Sequence, residues 1–254
     1  MRAFLNDAAV QSLYIGRVTQ HAAADEIVQG KYWENGKGCA IGCTIHGSDH
    51  SKYETELGVP EELARLQDAI FEALPADEAK AFPLQFLTAI PIGADLSKVW
   101  DHFHVHLLLD QKDGLVAIPD MRDDCKGWIR TIAALFQCSA SGTTPTRLQK
   151  DDAEKAAWDA RAAWDAWAAR DARDARAAWA AWAARAARDA RAAWAAWAAW
   201  DAWAARDAWA AWAARDAWDA WAARDAWAAW AARDARIKRQ RDVLLQLLRE
   251  APVQ

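Results

Sequence analysis

Four residues of metal-ligating type follow one another at helical intervals in the segment GCAIGCTIHGSDH. Cys39, Cys43, His46 and His50 are spaced by four, three and four residues. Thiolate sulfur and imidazole nitrogen are zinc ligands, and the pair His46 and His50 is a familiar half-site if both stand on a helix. On one continuous helix all four would share a face. That stripe spans about 16 Å, whereas zinc–ligand bonds are only about 2.0–2.3 Å long. A straight helix therefore cannot close four ligands on one ion. A break at Gly42 or Gly47, or a further ligand from Asp49 or Cys125, is required. The same glycines fit a loop that enters a helix near Cys39, where the positive helix end lowers a thiol pKa and favours a reactive thiol. A third reading is structural: a buried cysteine stripe beside partly exposed histidines.

A second cluster, DHFHVH, places His102, His104 and His106 at alternate positions. On a strand the three would align and could hold zinc. The apolar stripe around them, Leu96, Trp100, Phe103, Leu107 and Leu108, has helical spacing, which spreads the histidines over three directions. No phosphate-binding loop, dinucleotide fingerprint or nucleophile elbow is present.

The elements that position these residues follow from apolar periodicity. Asn6 or Asp7 caps a first helix with Val10, Leu13, Tyr14 and Val18 on its apolar face. Lys31 to Lys37 (KYWENGK) is expected as a loop because of its Asn-Gly. Pro60 starts a helix with Glu61 and Glu62 near its positive end. Leu63, Leu66, Ile70, Phe71 and Leu74 are its buried side, and Pro75 stops it. Pro83 starts a short helix through Phe86 and Leu87. Leu115 to Ile118 is expected as a short strand, and Trp128, Ile129, Ile132, Leu135 and Phe136 mark a last helix. Five or six amphipathic helices can enclose one core. The fold class expected is all-α: a small helical head domain over residues 1–138, a linker at 139–149 that contains SASGTTPT, and a repeat region over 150–250.

That repeat region is the chain's most unusual feature. Residues 158–235 are an unbroken run of triplets reading Trp or Arg, then Ala or Asp, then Ala, and hold 15 of the 18 tryptophans. Alanine and arginine are strong helix formers, so the array reads as one long helix or a helical array. Each triplet falls about 60° short of a full turn. At nine residues a second order appears, and two nonads make about five turns, so the pattern keeps register along a straight helix. Trp200, Trp203, Trp218 and Trp221 then share one face. Trp209, Trp212, Trp227 and Trp230 share the opposite face. Arg206 and Arg224 lie between them on one side, Arg215 and Arg233 on the other. Two such faces demand two partner surfaces. A short DNA repeat expanded by slippage would produce the same grammar with helix packing as its only constraint. After the array, Val243, Leu244, Leu247 and Leu248 form a final apolar stripe.

Charge narrows the partners. Residues 1–150 hold 14 Lys/Arg and 20 Asp/Glu, and residues 151–254 hold 17 and 16. A near-neutral array lacks the basic stripe that a nucleic-acid backbone requires. Its longest stretch without Arg or Asp, Ala192 to Trp200, is far short of the roughly 20 apolar residues of a membrane span. Four cysteines without a secretory leader point to free thiols in the cytoplasm.

The block MRAFLND, the run GKGCAIGCTIHGSDH followed by YETELGVP, and the alanine-rich triplet tail ending in LLQLLREAP resemble a group of uncharacterised bacterial and phage proteins. That resemblance implies no activity and supplies no catalytic residue. The tail alone is similar in style to alanine-rich immunity proteins of bacterial toxin systems. The leading expectation is a non-enzymatic interaction or scaffold protein that packs on itself, on copies or on another protein through the Trp-faced array. The alternatives are a zinc- or thiol-dependent module using Cys39, Cys43, His46 and His50, and a toxin-neutralising partner. No cofactor is expected under the first reading, and zinc is the metal expected under the second.

Overall fold

The computed structural model describes residues 2–112, 114–118, 123–159, 231 and 234–253. The chain is all-α, with one two-stranded hairpin among the described residues. It divides into two compact units: Met1–Ala156 together with Ala232–Gln254, and Ala157–Ala231. The interaction faces expected at Trp200, Trp203, Trp209, Trp212, Trp218, Trp221, Trp227, Trp230, Arg206, Arg215, Arg224 and Arg233 lie outside the described residues.

In the first unit, helix α1 (Ala8–Ala23) begins where the Asp7 carboxylate accepts the Ala9 N–H at 2.7 Å, satisfying one of the free donors of a helix start. Tyr14 and Val18 are its buried edge, and Leu13 faces solvent because that edge is narrow. The segment expected as a loop is a hairpin, β1 (Trp33–Glu34) paired with β2 (Lys37–Gly38). Asn35 and Gly36 both take left-handed backbone angles, as a tight two-residue turn demands. Next come α2 (Ala40–Ile45) and α3 (Lys52–Leu57). Helix α4 (Glu61–Ala73) runs between Pro60 and Pro75, with Glu61 and Glu62 at its positive end. Helices α5 (Ala76–Ala79) and α6 (Phe82–Ala89) follow, the latter with Pro83 in its first turn.

Helices α7 (Val99–Leu109) and α8 (Asp123–Ala140) pack on one another. A second apolar cluster forms around Leu108, Ile129 and Ala133. Leu115–Ala117 is a 3₁₀ turn rather than the expected strand. A strand needs a partner edge, whereas here Leu115 and Val116 pack directly on the α7–α8 cluster. Ser139, expected to open a linker, is still helical: its carbonyl accepts from Lys98 Nζ at 2.6 Å and its hydroxyl donates to Asp101 at 2.6 Å.

Residues 147–159 form helix α9 and residues 234–249 form helix α10. The latter does not belong with the array that precedes it. Val243, Leu244, Leu245, Leu248 and Ala251 lie in the same buried core as Phe4, Tyr53, Phe71, Phe82 and Phe86. Glu78 pairs with both Lys238 and Arg241. Beyond the helix, the Asp95 N–H donates to the Pro252 carbonyl at 2.8 Å, and Ala94 bridges Val253. Ala94 also accepts from the Ala3 N–H at 3.0 Å, while Gly93 donates to the Ala3 carbonyl at 2.9 Å. The two ends of the chain thus meet on one short loop. The unit takes in 1–156 and 232–254, whereas the sequence pattern placed its end at 138 and grouped 234–250 with the repeats.

Leu244 is fully buried in this shared core, so its truncation opens a cavity in the whole unit. Leu244→Ala should lower the stability of the unit by about 2–4 kcal/mol, read by urea unfolding followed at tyrosines and tryptophans. An unfolding midpoint unchanged from the wild type would contradict the shared core.

Candidate functional site

The 38–50 segment is split, not continuous. Helix α2 ends at Ile45, and His46 takes a left-handed conformation (φ 52°) as its C-cap. This conformation turns the chain before His50, so the four-residue face expected on one helix does not form. The segment that leads into β1 passes the start of α2 at very short range. A Cβ on Gly42 would stand 1.4 Å from the Tyr32 carbonyl oxygen, and one on Gly38 2.1 Å from it. Both glycines are therefore required by the close approach of two backbones. The Cys39 N–H donates to the Lys31 carbonyl at 2.6 Å, and the Gly38 N–H to the Glu26 carbonyl at 3.0 Å. These bonds hold Tyr32 and Trp33 over the helix.

The motif residues then divide among three surroundings. Cys39 is buried and meets α4: its Sγ and carboxylate oxygens of Asp68 and Glu72 all lie within 4.8 Å of one another. His50, also buried, directs Nε2 to Asp68 Oδ2 at 3.4 Å and has the Tyr32 ring edge-on at 5.8 Å. The Gly30 N–H donates to Glu72 Oε2 at 2.9 Å. Cys43 faces another way, its buried thiol donating to the Gly38 carbonyl at 3.3 Å. Among the described residues, Cys39, Asp68 and Glu72 are the one group with metal-ligand spacing, so of the four expected ligands Cys39 alone belongs to it, and His50 reaches it only through Asp68. Asp49 is exposed and accepts from the Ser51 hydroxyl and N–H, outside this group.

His46 lies on the far side with residues that the sequence did not single out as a site. Glu26 Oε2 is 2.6 Å from His21 Nδ1, and His21 Nε2 is 2.9 Å from His46 Nε2. Trp33 stacks on His46 with ring centroids 4.5 Å apart. With Nδ1–H of His21 donating to Glu26, a neutral His21 offers Nε2 only as an acceptor, so His46 must donate from Nε2. The chain Glu26–His21–His46 therefore fixes the tautomers of both rings. On α7 the helical geometry separates the other three histidines. His104 stacks on Phe136 and donates from Nδ1 to the Trp100 carbonyl at 2.8 Å, and His106 faces Asp110.

Electrostatics argue against a reactive thiol. Burial pushes the Cys39 thiol up to about 12 and the Cys43 thiol up to about 11, opposite to the lowering expected for Cys39 at a helix start. For Cys39, backbone N–H groups of Gly42 and Ile41 oppose the shift but do not overcome desolvation. Burial, then the Arg17 charge and His21, hold His46 below its ordinary value. Burial raises Glu72, with the neighbouring Asp68 carboxylate adding to the shift.

Asp68 and Glu72 were readable in the sequence only as the polar side of α4. Their signal was a carboxylate pair four residues apart, which is commonplace on solvated helices. No family model, no curated protein and no solved structure matches the chain. Among the described residues no helix is long and apolar enough to cross a membrane.

The lowered His46 gives a pH signature. The unfolded chain binds a proton on this residue near pH 6.5, whereas the folded protein resists it to lower pH. Stability is fully present above that value and declines as pH falls towards the folded pKa. Differential scanning calorimetry should show the melting temperature falling from about pH 7 to about pH 5, with a smaller fall in His46→Gln. An equal fall in both proteins would show that His46 is not the source.

Proposed function

We propose that this chain is a non-enzymatic interaction protein: a helical unit that carries the Trp/Arg–Ala array as an insertion and presents it for packing against further copies of the chain. The observation that carries this reading is the burial of α10 in the core that α1 to α7 build. The array is anchored by the same folded unit on both sides, at 156 and at 232.

The array supplies the adhesive surface. Its 15 tryptophans carry roughly 150–250 Å² each, several-fold more than the few hundred Å² that a soluble monomer leaves exposed in one patch. Near-equal numbers of Arg and Asp favour a protein surface over nucleic acid. Cys43 supports a structural role for the unit's thiols: it is buried, donates to backbone oxygen and is held protonated. All four cysteines are free, which fits the cytoplasm. Of the four residues of the zinc-dependent reading, only Cys39 lies in a group with metal-ligand spacing.

Size-exclusion chromatography with light scattering on the full chain tests the proposal. The expected result is an assembly of two or more copies, reduced to one copy when Trp209, Trp212, Trp227 and Trp230 are replaced by Ala. A wild-type chain that stays a single copy across the accessible concentration range would overturn self-association.

A further inference from the structure

We propose that Cys39, Asp68 and Glu72 bind a divalent transition-metal ion of the zinc type, with His50 and the Gly30 N–H orienting the two carboxylates. This site is independent of the array and of its partners.

The first support is spacing. One sulfur and two carboxylate oxygens lie mutually within 4.8 Å. Ligand atoms about 2.0–2.3 Å from one ion stand roughly 3.3–3.7 Å apart in a tetrahedral shell, so small side-chain adjustments close this group on a cation. The second support is an unmet polar atom. Asp68 Oδ1 is buried without a hydrogen-bond partner, an arrangement that costs energy unless a donor or cation occupies the place. The third is charge. Among the described residues neither Asp68 nor Glu72 is paired with Lys or Arg; Asp68 is met by His50 and by the Cys39 thiol, and Glu72 by the Gly30 N–H. Two carboxylates beside a thiol repel one another when ionised, and a divalent cation removes that repulsion.

The orienting contacts fit the same reading. Carboxylate ligands of metals are themselves held by hydrogen bonds. Here a buried imidazole holds one carboxylate through Oδ2, leaving Oδ1 free, and a backbone N–H holds the other. A thiolate with two oxygens suits zinc or cobalt, whereas calcium and magnesium take oxygen ligands alone. Access is available: Cys39 is enclosed, Asp68 is partly covered and Glu72 is exposed. Three protein ligands leave a fourth position for water. The ion would join the start of α2 to the middle of α4, so binding would stabilise the folded unit.

The test uses the full chain, stripped with chelator and titrated with zinc alone, then with cobalt alone. The expected result is one zinc per chain, a rise in melting temperature on zinc addition, and a near-ultraviolet thiolate-to-cobalt band. Glu72→Gln, at the exposed rim, should weaken zinc binding more than about tenfold while the metal-free protein keeps its helical circular dichroism. Cys39→Ser should abolish the cobalt–thiolate band. His46→Gln should bind zinc like the wild type. Absence of stoichiometric uptake by the wild type, unchanged affinity in a folded Glu72→Gln protein, or loss of binding in His46→Gln would each overturn the proposal.

Discussion

The burial of Leu244, Leu245 and Leu248 among side chains from the first hundred residues is the constraint on which the rest of the molecule depends. It turns a repeat tail into an insertion. A tail answers to its own helix propensity and to whatever it meets. An insertion must leave and re-enter one folded unit, and the core holds the segment by which this one re-enters. Leu244 and Leu248 are fully buried, and apolar burial at about 25 cal/mol per Å² makes two such side chains worth several kcal/mol. The ion pairs of Glu78 with Lys238 and Arg241 add register, while apolar burial supplies most of the attachment.

A second constraint acts inside the unit. Gly38 and Gly42 let the Tyr32 carbonyl approach α2 more closely than any side chain would permit. That approach places the aromatic pair Tyr32 and Trp33 on opposite groups: Tyr32 against His50, Trp33 against His46. The same crossing separates the motif into two chemistries. On one side are a thiol and two carboxylates; on the other is a hydrogen-bonded chain of Glu26, His21 and His46. The left-handed turn at His46 completes the division by ending α2 after one and a half turns or so.

Some of this was legible in the residues. Helix α4 was plain because Leu63, Ile70 and Phe71 repeat at helical spacing between two prolines. The Asp7 cap and the Pro83 start are local signals and stand where the chain put them. The Asn35-Gly36 pair marks a loop by composition alone, and its chemistry favours the tight hairpin turn observed. What escaped was long-range. The stripe Val243, Leu244, Leu247 and Leu248 announced a buried face, but nothing local says which core receives it. The end of α2 escaped because a histidine in a left-handed cap has no sequence mark comparable to glycine. Asp68 and Glu72 escaped for a related reason: a carboxylate pair on a helix becomes a ligand pair only when another element delivers a thiol to it. The tryptophans expected on opposite faces of the array lie outside the described residues, and their periodicity in the sequence is the basis for the proposed association.

Amide hydrogen exchange followed by mass spectrometry tests the shared core most directly. The account predicts that peptides covering 243–249 exchange as slowly as those covering 61–73, both opening only when the whole unit unfolds. Fast exchange in 243–249 beside a protected 61–73 would mean that the last helix opens alone, and the array would then be a tail rather than an insertion.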